Sequence, residues 1–396
     1  MLRLLILGAT GSVGRSTLQV AALHPDKISV VALAARRDVE GMFELVAQFR
    51  PAVVAMEESA AAQALRDKIK KAGHATEVVQ GAQAICELAA DGQSDTVMSA
   101  IVGAVGLAPT LSAIEAGKRV LVANKEPLVM AGDLMMARAR EKGAVIMPID
   151  SEHNAIFQCL PGGYRCGDVP EGVSRITLTA SGGPFREMQA DELRSVTPEQ
   201  AVRHPNWEMG KKISVDSATM MNKGLERIEA AVLYGLPRDQ IDIVVHPESV
   251  IHSMVEYVDG STLAQLGQPD MRVPIAHALA WPERWESGVG GLNLAAQARL
   301  TFSEPDPKRF PCLRLAASAL QAGGNLPNVL NAANEIAVEA FLQGQLGFMA
   351  ISEMVERVCD EGLGRLSTET QIEAVMASDA WAREQCRKHI REHLDD

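Results

Sequence analysis

Leu2-Arg3-Leu4-Leu5-Ile6-Leu7-Gly8-Ala9-Thr10-Gly11-Ser12-Val13-Gly14 opens the chain with a short apolar run that passes straight into glycines spaced Gly-x-x-Gly-x-x-Gly. An apolar run of this length bounded by glycine predicts a buried strand, and residues 17–23 predict a helix after it. Glycines at a first β-to-α turn allow a tight bend and close backbone approach, with the amides of the next helix facing a pyrophosphate. Thr10, Gly11, Ser12 and Val13 are then the candidate cofactor cradle. The same glycines would also serve plain helix–strand packing.

Outward from this turn the pattern repeats to residue 150. Residues 2–7, 28–34, 52–56, 77–79, 96–102, 119–123 and 144–149 read as strands, and 17–23, 60–71, 82–89, 110–116 and 128–142 as helices. Such alternation predicts an α/β fold, with a Rossmann-like, mainly parallel sheet over 1–150. Residues 151–286 change texture: strands at 174–179, 241–246, 252–258 and 263–266 with a helix at 223–233 suggest a central α+β catalytic domain. Gly288-Val289-Gly290-Gly291 and Glu304-Pro305-Asp306-Pro307 mark 287–311 as a linker. Helical periodicity at 313–320, 330–342, 350–359, 370–376 and 380–394 makes 312–396 a C-terminal helical domain.

The 396 residues carry a formal charge of -12, which argues against nucleic acid or an anionic membrane as partner. Phosphate ligands would therefore need local Lys, Arg and His. Six scattered cysteines (Cys86, Cys159, Cys166, Cys312, Cys359, Cys386) form no Cys-x-x-Cys pair, so no disulfide framework or thiolate zinc site is expected. No apolar run approaches the roughly 18 residues of a membrane span, and the first eight residues are too short for a signal peptide. A cytoplasmic, reduced enzyme is the expectation.

The second strand runs into Ala34-Ala35-Arg36-Arg37-Asp38. Paired guanidiniums suit a 2′-phosphate, so Arg36, Arg37 and Asp38 point to NADPH, with Asp38 leaving a case for NAD. Pro148-Ile149-Asp150-Ser151-Glu152 ends the seventh strand-like run. On an extended segment Asp150 and Glu152 would project to one side, where open α/β sheets place ligands. In Met221-Asn222-Lys223-Gly224-Leu225-Glu226, a helix starting near Asn222 puts Asn222, Lys223 and Glu226 on one face. Asp150, Glu152 and Glu226 are hard oxygen donors for Mg2+ or Mn2+, although three acids from separate segments are more often a solvated surface.

Ser181-Gly182-Gly183-Pro184 offers a hydroxyl and amides after a strand, and is also an ordinary turn. Asp216-Ser217-Ala218-Thr219 puts hydroxyls near a helix start, where they would equally cap it. His204-Pro205-Asn206-Trp207-Glu208-Met209-Gly210-Lys211-Lys212 places large apolar groups in a loop, the composition of a lid over 204–212. Asn124-Lys125-Glu126 ends a strand on the cofactor side, where a lysine can meet a substrate oxygen.

Taken in order, GATGSVG (8–14), ANKE (123–126), DSEHNAIFQ (150–158), SGGPF (181–185), HPNWEMGKKISVDSATMMNKGLE (204–226), HPESVIHSMV (246–255), LGQPDMR (266–272) and LNAANE (330–335) resemble the 1-deoxy-D-xylulose 5-phosphate reductoisomerase family along essentially the whole chain. The resemblance implies NADPH- and metal-dependent conversion of that sugar phosphate to 2-C-methyl-D-erythritol 4-phosphate in the non-mevalonate (MEP) isoprenoid pathway. It implies Mg2+, Mn2+ or Co2+ on Asp150, Glu152 and Glu226. Lys125 and Ser151 would meet substrate oxygens, and Ser181, Ser217, Asn222, Lys223 and His204 would take the substrate phosphate. Thr10, Gly11, Ser12, Val13, Asn124, Glu126 and Gly210 would lie along the cofactor, with Trp207 and Met209 covering nicotinamide and substrate; a homodimer is implied too. Two positions depart from the family pattern: Arg36-Arg37-Asp38 replaces Gly-x-Asn, and Pro127 stands where Ser is usual. Competing readings are an NADP-dependent semialdehyde or homoserine dehydrogenase, or a silent NADPH-binding protein. No cysteine stands in an obvious nucleophilic setting for the semialdehyde type, and a silent protein would not need three acids and a lid.

Overall fold

The computed structural model describes residues 1–204, 209–365, 367 and 371–395. In chain order the first elements are β1 (Leu2–Leu7), α1 (Ser12–Leu23), β2 (Ile28–Ala35), α2 (Val39–Phe49), β3 (Val53–Met56), α3 (Ser59–Ala72) and β4 (Glu77–Gln80). Then come α4 (Ala82–Ala90), β5 (Thr96–Ser99), α5 (Leu107–Glu115), β6 (Arg119–Val122), α6 (Glu126–Lys142), β7 (Val145–Pro148) and α7 (Ser151–Cys159). They continue with β8 (Val173–Ala180), α8 (Pro198–Ala201), α9 (Lys211–Ala218), α10 (Met221–Tyr234), β9 (Ile241–Val245), β10 (Ile251–Tyr257), β11 (Thr262–Leu266) and α11 (Arg272–Ala280). The last are α12 (Leu294–Gln297), α13 (Pro311–Ala322), α14 (Leu326–Leu342), α15 (Phe348–Leu363) and α16 (Ile372–Asp395).

The chain makes two compact units. One comprises Met1–Pro127, Met135–Asn154 and Asp270–Gly291; the other Leu128–Leu134, Ala155–Pro269 and Leu292–Asp396. The first is built on a seven-stranded parallel sheet in the order β4-β3-β2-β1-β5-β6-β7. Leu4, Leu5, Ile6 and Leu7 of the central strand are all fully buried, as expected of a parallel sheet covered on both faces. Strand order reverses between β1 and β5, so the topological switch point, where such sheets take their ligands, lies beside the Gly8–Gly14 turn.

The second unit holds a four-stranded sheet, β11-β10-β8-β9, with β10 antiparallel to β8 and β11, and β8 parallel to β9. Its largest core joins Val215 and Ala218 of α9 and Met221, Leu225 and Ile228 of α10 to buried residues of α13, α14, α15 and α16. The helices after 311 thus bury apolar faces against α9 and α10. The α/β class with a parallel N-terminal sheet, a central mixed sheet and C-terminal helices is what the sequence predicts. No helix among the described residues is long and apolar enough to cross a membrane.

Several boundaries differ from the sequence expectation. The fifth strand ends at Ser99, not at 102, because Gly103 turns the chain at positive φ before a 3-10 turn. Helix α2 is absent from the expectation because Gly41 interrupts its pattern; Asp38 caps it by accepting from the Gly41 amide at 2.9 Å. The two C-terminal segments read at 370–376 and 380–394 are one helix, α16. Ser378-Asp379 resembles a break in the sequence, yet Asp379 pairs with Arg383 one turn on at 2.7 Å.

The most consequential correction concerns Asp150-Ser151-Glu152. These residues are not extended: β7 stops at Pro148 and Ser151 begins α7, so Glu152 lies in the first helical turn. Proline cannot donate to a ladder, and the Asp150 carbonyl accepts the first helical bond, from the Asn154 amide at 2.8 Å. The premise that both carboxylates project to one side of a strand is wrong for this chain.

His277 of α11 gives the first unit a pH dependence. Its Nδ1 accepts from Asn154 Nδ2 at 3.2 Å, and burial, then the Arg284 charge, push its pKa down to about 4. With a folded value below the ordinary 6.5, its contribution to stability is complete above pH 6.5 and is lost as pH falls toward 4. The loss is about 3 kcal/mol from this group. Unfolding free energies of wild type and His277→Gln between pH 7.5 and 4.5 should diverge by that amount; parallel curves would contradict it.

Candidate active site

In the first unit the glycines of the opening turn divide their duties. Gly8 has φ +85°, and a Cβ on it would lie 2.4 Å from the Ala100 carbonyl oxygen at the end of β5. A Cβ on Gly14 would lie 2.4 Å from the Gly8 oxygen, so the helix rests directly on the turn. Packing therefore demands Gly8 and Gly14, while Gly11, with a virtual Cβ 3.3 Å from its nearest neighbour, is less constrained. Gly11 is the N-cap of α1 and no side chain caps that helix; its own amide donates to the Gly8 carbonyl at 3.0 Å, and the first-turn amides begin at Ser12 and Val13. A tight glycine turn at a helix N-terminus and a switch point fits a dinucleotide pyrophosphate.

After β2, Arg36 and Arg37 are exposed, and Arg36 pairs with Glu58 at 3.1 Å. The Asp38 carboxylate is engaged as the α2 cap, with Arg15 4.0 Å away. An acid spent on a cap is a poor ribose ligand, which favours the phosphate-bearing cofactor over NAD. After β6, Asn124 donates to the Ile101 carbonyl, while Lys125 and Glu126 are buried at the start of α6. Lys125 Nζ lies 2.6 Å from Asp150 Oδ2, and Ser151 Oγ donates to Glu152 Oε2 at 2.5 Å. Lys125, Asp150, Ser151 and Glu152 thus form one polar group at the C-terminal edge of the parallel sheet.

In the second unit, β8 delivers Ser181. Its Oγ lies 2.9 Å from His204 Nε2 and accepts from the Gly183 amide at 3.2 Å. Gly183 has φ +69°, and a Cβ there would sit 2.6 Å from the Ser217 carbonyl oxygen; glycine is what lets the loop press on the end of α9. Ser217 is in the last turn of α9, four residues before α10 begins, and in the same stretch the Thr219 hydroxyl accepts from the Met221 amide at 3.3 Å, at the helix start the sequence suggests. Met220 turns the chain at φ 61°, and α10 then presents Asn222 and Lys223. Both donate to Glu226: Asn222 Nδ2 at 2.5 Å, and Lys223 Nζ in a buried ion pair. The expected i, i+3, i+4 face is therefore formed. Ser181, His204, Ser217, Asn222 and Lys223 all belong to this unit. Gly210 caps α9 with open space around it, and Met209 is half-buried; Trp207, with 205–208, lies outside the described residues.

Sequence reasoning gave no role to three buried polar residues around this group. The amide of His246 donates to the Ala180 carbonyl at 2.6 Å, next to Ser181, and its ring nitrogen accepts from Val250 and Ile251 amides at 3.2 Å each. Asp216 and Asn334 are joined by a hydrogen bond of 2.8 Å. Asn334 lies in an Asn-rich, otherwise apolar stretch, 328–334, that periodicity treats as core.

Family models for 1-deoxy-D-xylulose 5-phosphate reductoisomerase match residues 4–132, for its C-terminal domain residues 146–234, and for the DXP reductoisomerase C-terminal domain residues 266–385. A 1-deoxy-D-xylulose 5-phosphate reductoisomerase of Pseudomonas putida strain F1 is 56% identical over 99% of this chain and 97% of its own length. One from Aromatoleum aromaticum is 56% identical over 98% of this chain and 96% of its own. Among solved structures, a DOX-P reductoisomerase in complex with NADPH, fosmidomycin and magnesium is 44% identical, with TM-score 0.94 over 99% of this chain and 98% of that one. The Zymomonas mobilis 1-deoxy-D-xylulose 5-phosphate reductoisomerase in complex with NADPH is 45% identical, with TM-score 0.90 over 98% and 99%. Similarity of this extent, along the whole of both chains, makes the protein a member of the 1-deoxy-D-xylulose 5-phosphate reductoisomerase family.

Proposed function

We propose that this protein is an NADP-dependent oxidoreductase that rearranges and reduces 1-deoxy-D-xylulose 5-phosphate to 2-C-methyl-D-erythritol 4-phosphate in the MEP pathway. End-to-end membership of the family carries this reading. When bound, NADPH supplies the hydride and a divalent cation polarises the ketone and hydroxyl oxygens of the substrate. Asp150, Glu152 and Glu226 would hold that cation. They are a set of hard oxygen donors that fits Mg2+, Mn2+ or Co2+, and each already accepts from an ammonium or a hydroxyl.

The other assignments concern binding, orientation and water. Ser181, Ser217, Asn222, Lys223 and His204 would grip the substrate phosphate, anchoring the unreactive end so that the reacting carbons are held in register. The Lys125 ammonium would face a substrate oxygen on which negative charge develops, and the Ser151 hydroxyl would hold a neighbouring one. The turn of Thr10, Gly11, Ser12 and Val13 would cradle the cofactor phosphates, with Arg36 and Arg37 toward the 2′-phosphate. Asn124, Glu126 and Gly210 would lie along the cofactor. The 204–212 segment, with Trp207 and Met209, would exclude water from the aldehyde formed before reduction.

Division of the chain at 150, 286 and 311 into cofactor, catalytic, linker and helical segments is the organisation we assign. A cytoplasmic location is supported by six cysteines that are all free thiols. A homodimer is supported by the outer edge of β11, where Leu263 is exposed. The test is oxidation of NADPH, followed by its absorbance, on addition of 1-deoxy-D-xylulose 5-phosphate with Mg2+. Turnover that a chelator abolishes is expected; no turnover, or turnover that ignores chelator, would overturn the reading.

A further inference from the structure

We propose that Asp216 and Asn334 are positioning residues for phosphate binding, through which the C-terminal helix α14 sets the Ser217 end of the grip. The proposal rests on the role assigned above to Ser217. Asp216 lies in α9, one residue before Ser217 and one turn after Lys212, and is 1% exposed. Its Oδ1 accepts from Asn334 Nδ2 at 2.8 Å, and its Oδ2 is 2.9 Å from Lys212 Nζ. An ionised carboxylate only accepts, which fixes the Asn334 amide with its nitrogen toward Asp216. Asn334 itself is fully buried in α14. The Cys312 thiol, raised to about 12 by burial and then by the Asp216 charge, stays neutral beside it.

The buried core around that pair joins Val215 and Ala218 of α9 to apolar residues of the C-terminal helices. Apolar packing is non-directional and tolerates small rotations, whereas one hydrogen bond between buried groups selects a single rotation of α9 on α14. Successive side chains on a helix are about 100° apart, so a turn of α9 that breaks the Asp216 bond must swing the Ser217 hydroxyl as well. On its other side Ser217 is held by the Gly183 loop that carries Ser181. The end of α9 is thus set between the Ser181 loop and α14. Through Lys212 the same carboxylate also holds the first turn of α9, next to Gly210.

The experiment uses the full-length enzyme and Asn334→Leu, which keeps the volume and removes the donor. The variant should raise KM for 1-deoxy-D-xylulose 5-phosphate about tenfold or more with kcat within about threefold, and should weaken competition by inorganic phosphate by a similar factor. NADPH affinity should be unchanged, and Asn334→Gln, which restores a donor, should recover most of the KM. A purely structural role would lower the melting temperature while leaving KM and the phosphate inhibition constant at wild-type values; that outcome overturns the proposal. If Asn334→Leu does not fold, Asn334→Ala, which also removes the donor, carries the same expectation and the same contradiction. Should the wild type not turn over the sugar phosphate, the functional reading fails. Direct titration with inorganic phosphate then still decides this proposal, which requires tighter binding by wild type than by the variant.

Discussion

Glu226→Gln is expected to lower metal-dependent turnover by a factor of about 1,000 or more, roughly 4 kcal/mol of barrier, while NADPH binds within about twofold of wild type. The carboxylate is 1% exposed and accepts from both Asn222 and Lys223. Glutamine keeps the shape but removes the charge, and turns one end of the side chain into a donor facing the two donors already present. A buried ammonium would lose its counter-ion in the same step, a change that costs about 3–5 kcal/mol where a pair is broken on one side. The phosphate grip should suffer too, because Asn222 and Lys223 are held by the acid they share. A Mg2+ titration of turnover beside a fluorescence titration with NADPH reads the two effects separately. A variant with activity within tenfold of wild type would remove Glu226 from the cation site.

The second large effect belongs to the opening turn. Gly14→Ala should abolish measurable NADPH binding and destabilise the first unit by about 1–3 kcal/mol. The reason is steric and specific: the new Cβ would meet the Gly8 oxygen at 2.4 Å and the Ala9 Cα and oxygen at 2.7 Å, all of them backbone atoms. Only displacement of α1 from β1 relieves that clash, and displacement moves the amides of Ser12 and Val13. Gly11→Ala is the control. Its Cβ would be 3.3 Å from the nearest atom, so a loss within about tenfold in NADPH affinity and little change in stability are expected. Equal damage from the two substitutions, measured by cofactor titration and chemical unfolding, would contradict this division of roles.

How far the fold can be read before it is seen depends on which interactions write it. The parallel sheet was legible because the end of β1 (Leu4 to Leu7), the end of β2 (Ala32 to Ala35) and all of β5 are buried runs, and glycine or a helical pattern punctuates them. Glu226 with its Asn222 and Lys223 partners was legible for the same reason, since helix periodicity alone decides which residues share a face. Asp150-Ser151-Glu152 was misread because strand and helix start differ there by a cap. Residue spacing does not say on which side of Pro148 the backbone turns. Helix α9, whose last turn holds Ser217, was not anticipated because it follows a loop with no strong start signal: Gly210 caps it without a side chain. Asp216 and Asn334 carried no signal at all, because a polar pair between α9 and α14 is visible only once tertiary packing brings positions 118 residues apart together. Groups that share a face through a short local pattern were readable, and contacts that join distant positions across the fold were not.

The central claim is that this chain both rearranges a carbon skeleton and reduces the product with NADPH. The most direct measurement supplies 1-deoxy-D-xylulose 5-phosphate, Mg2+ and NADPH deuterated in its transferable position, and identifies the product by mass and NMR. The account predicts one 2-C-methyl-D-erythritol 4-phosphate per NADPH consumed, with a single deuterium on the hydroxymethyl carbon made by reduction of the aldehyde. Recovery of an unrearranged, directly reduced pentitol phosphate, or of unchanged substrate, would contradict it.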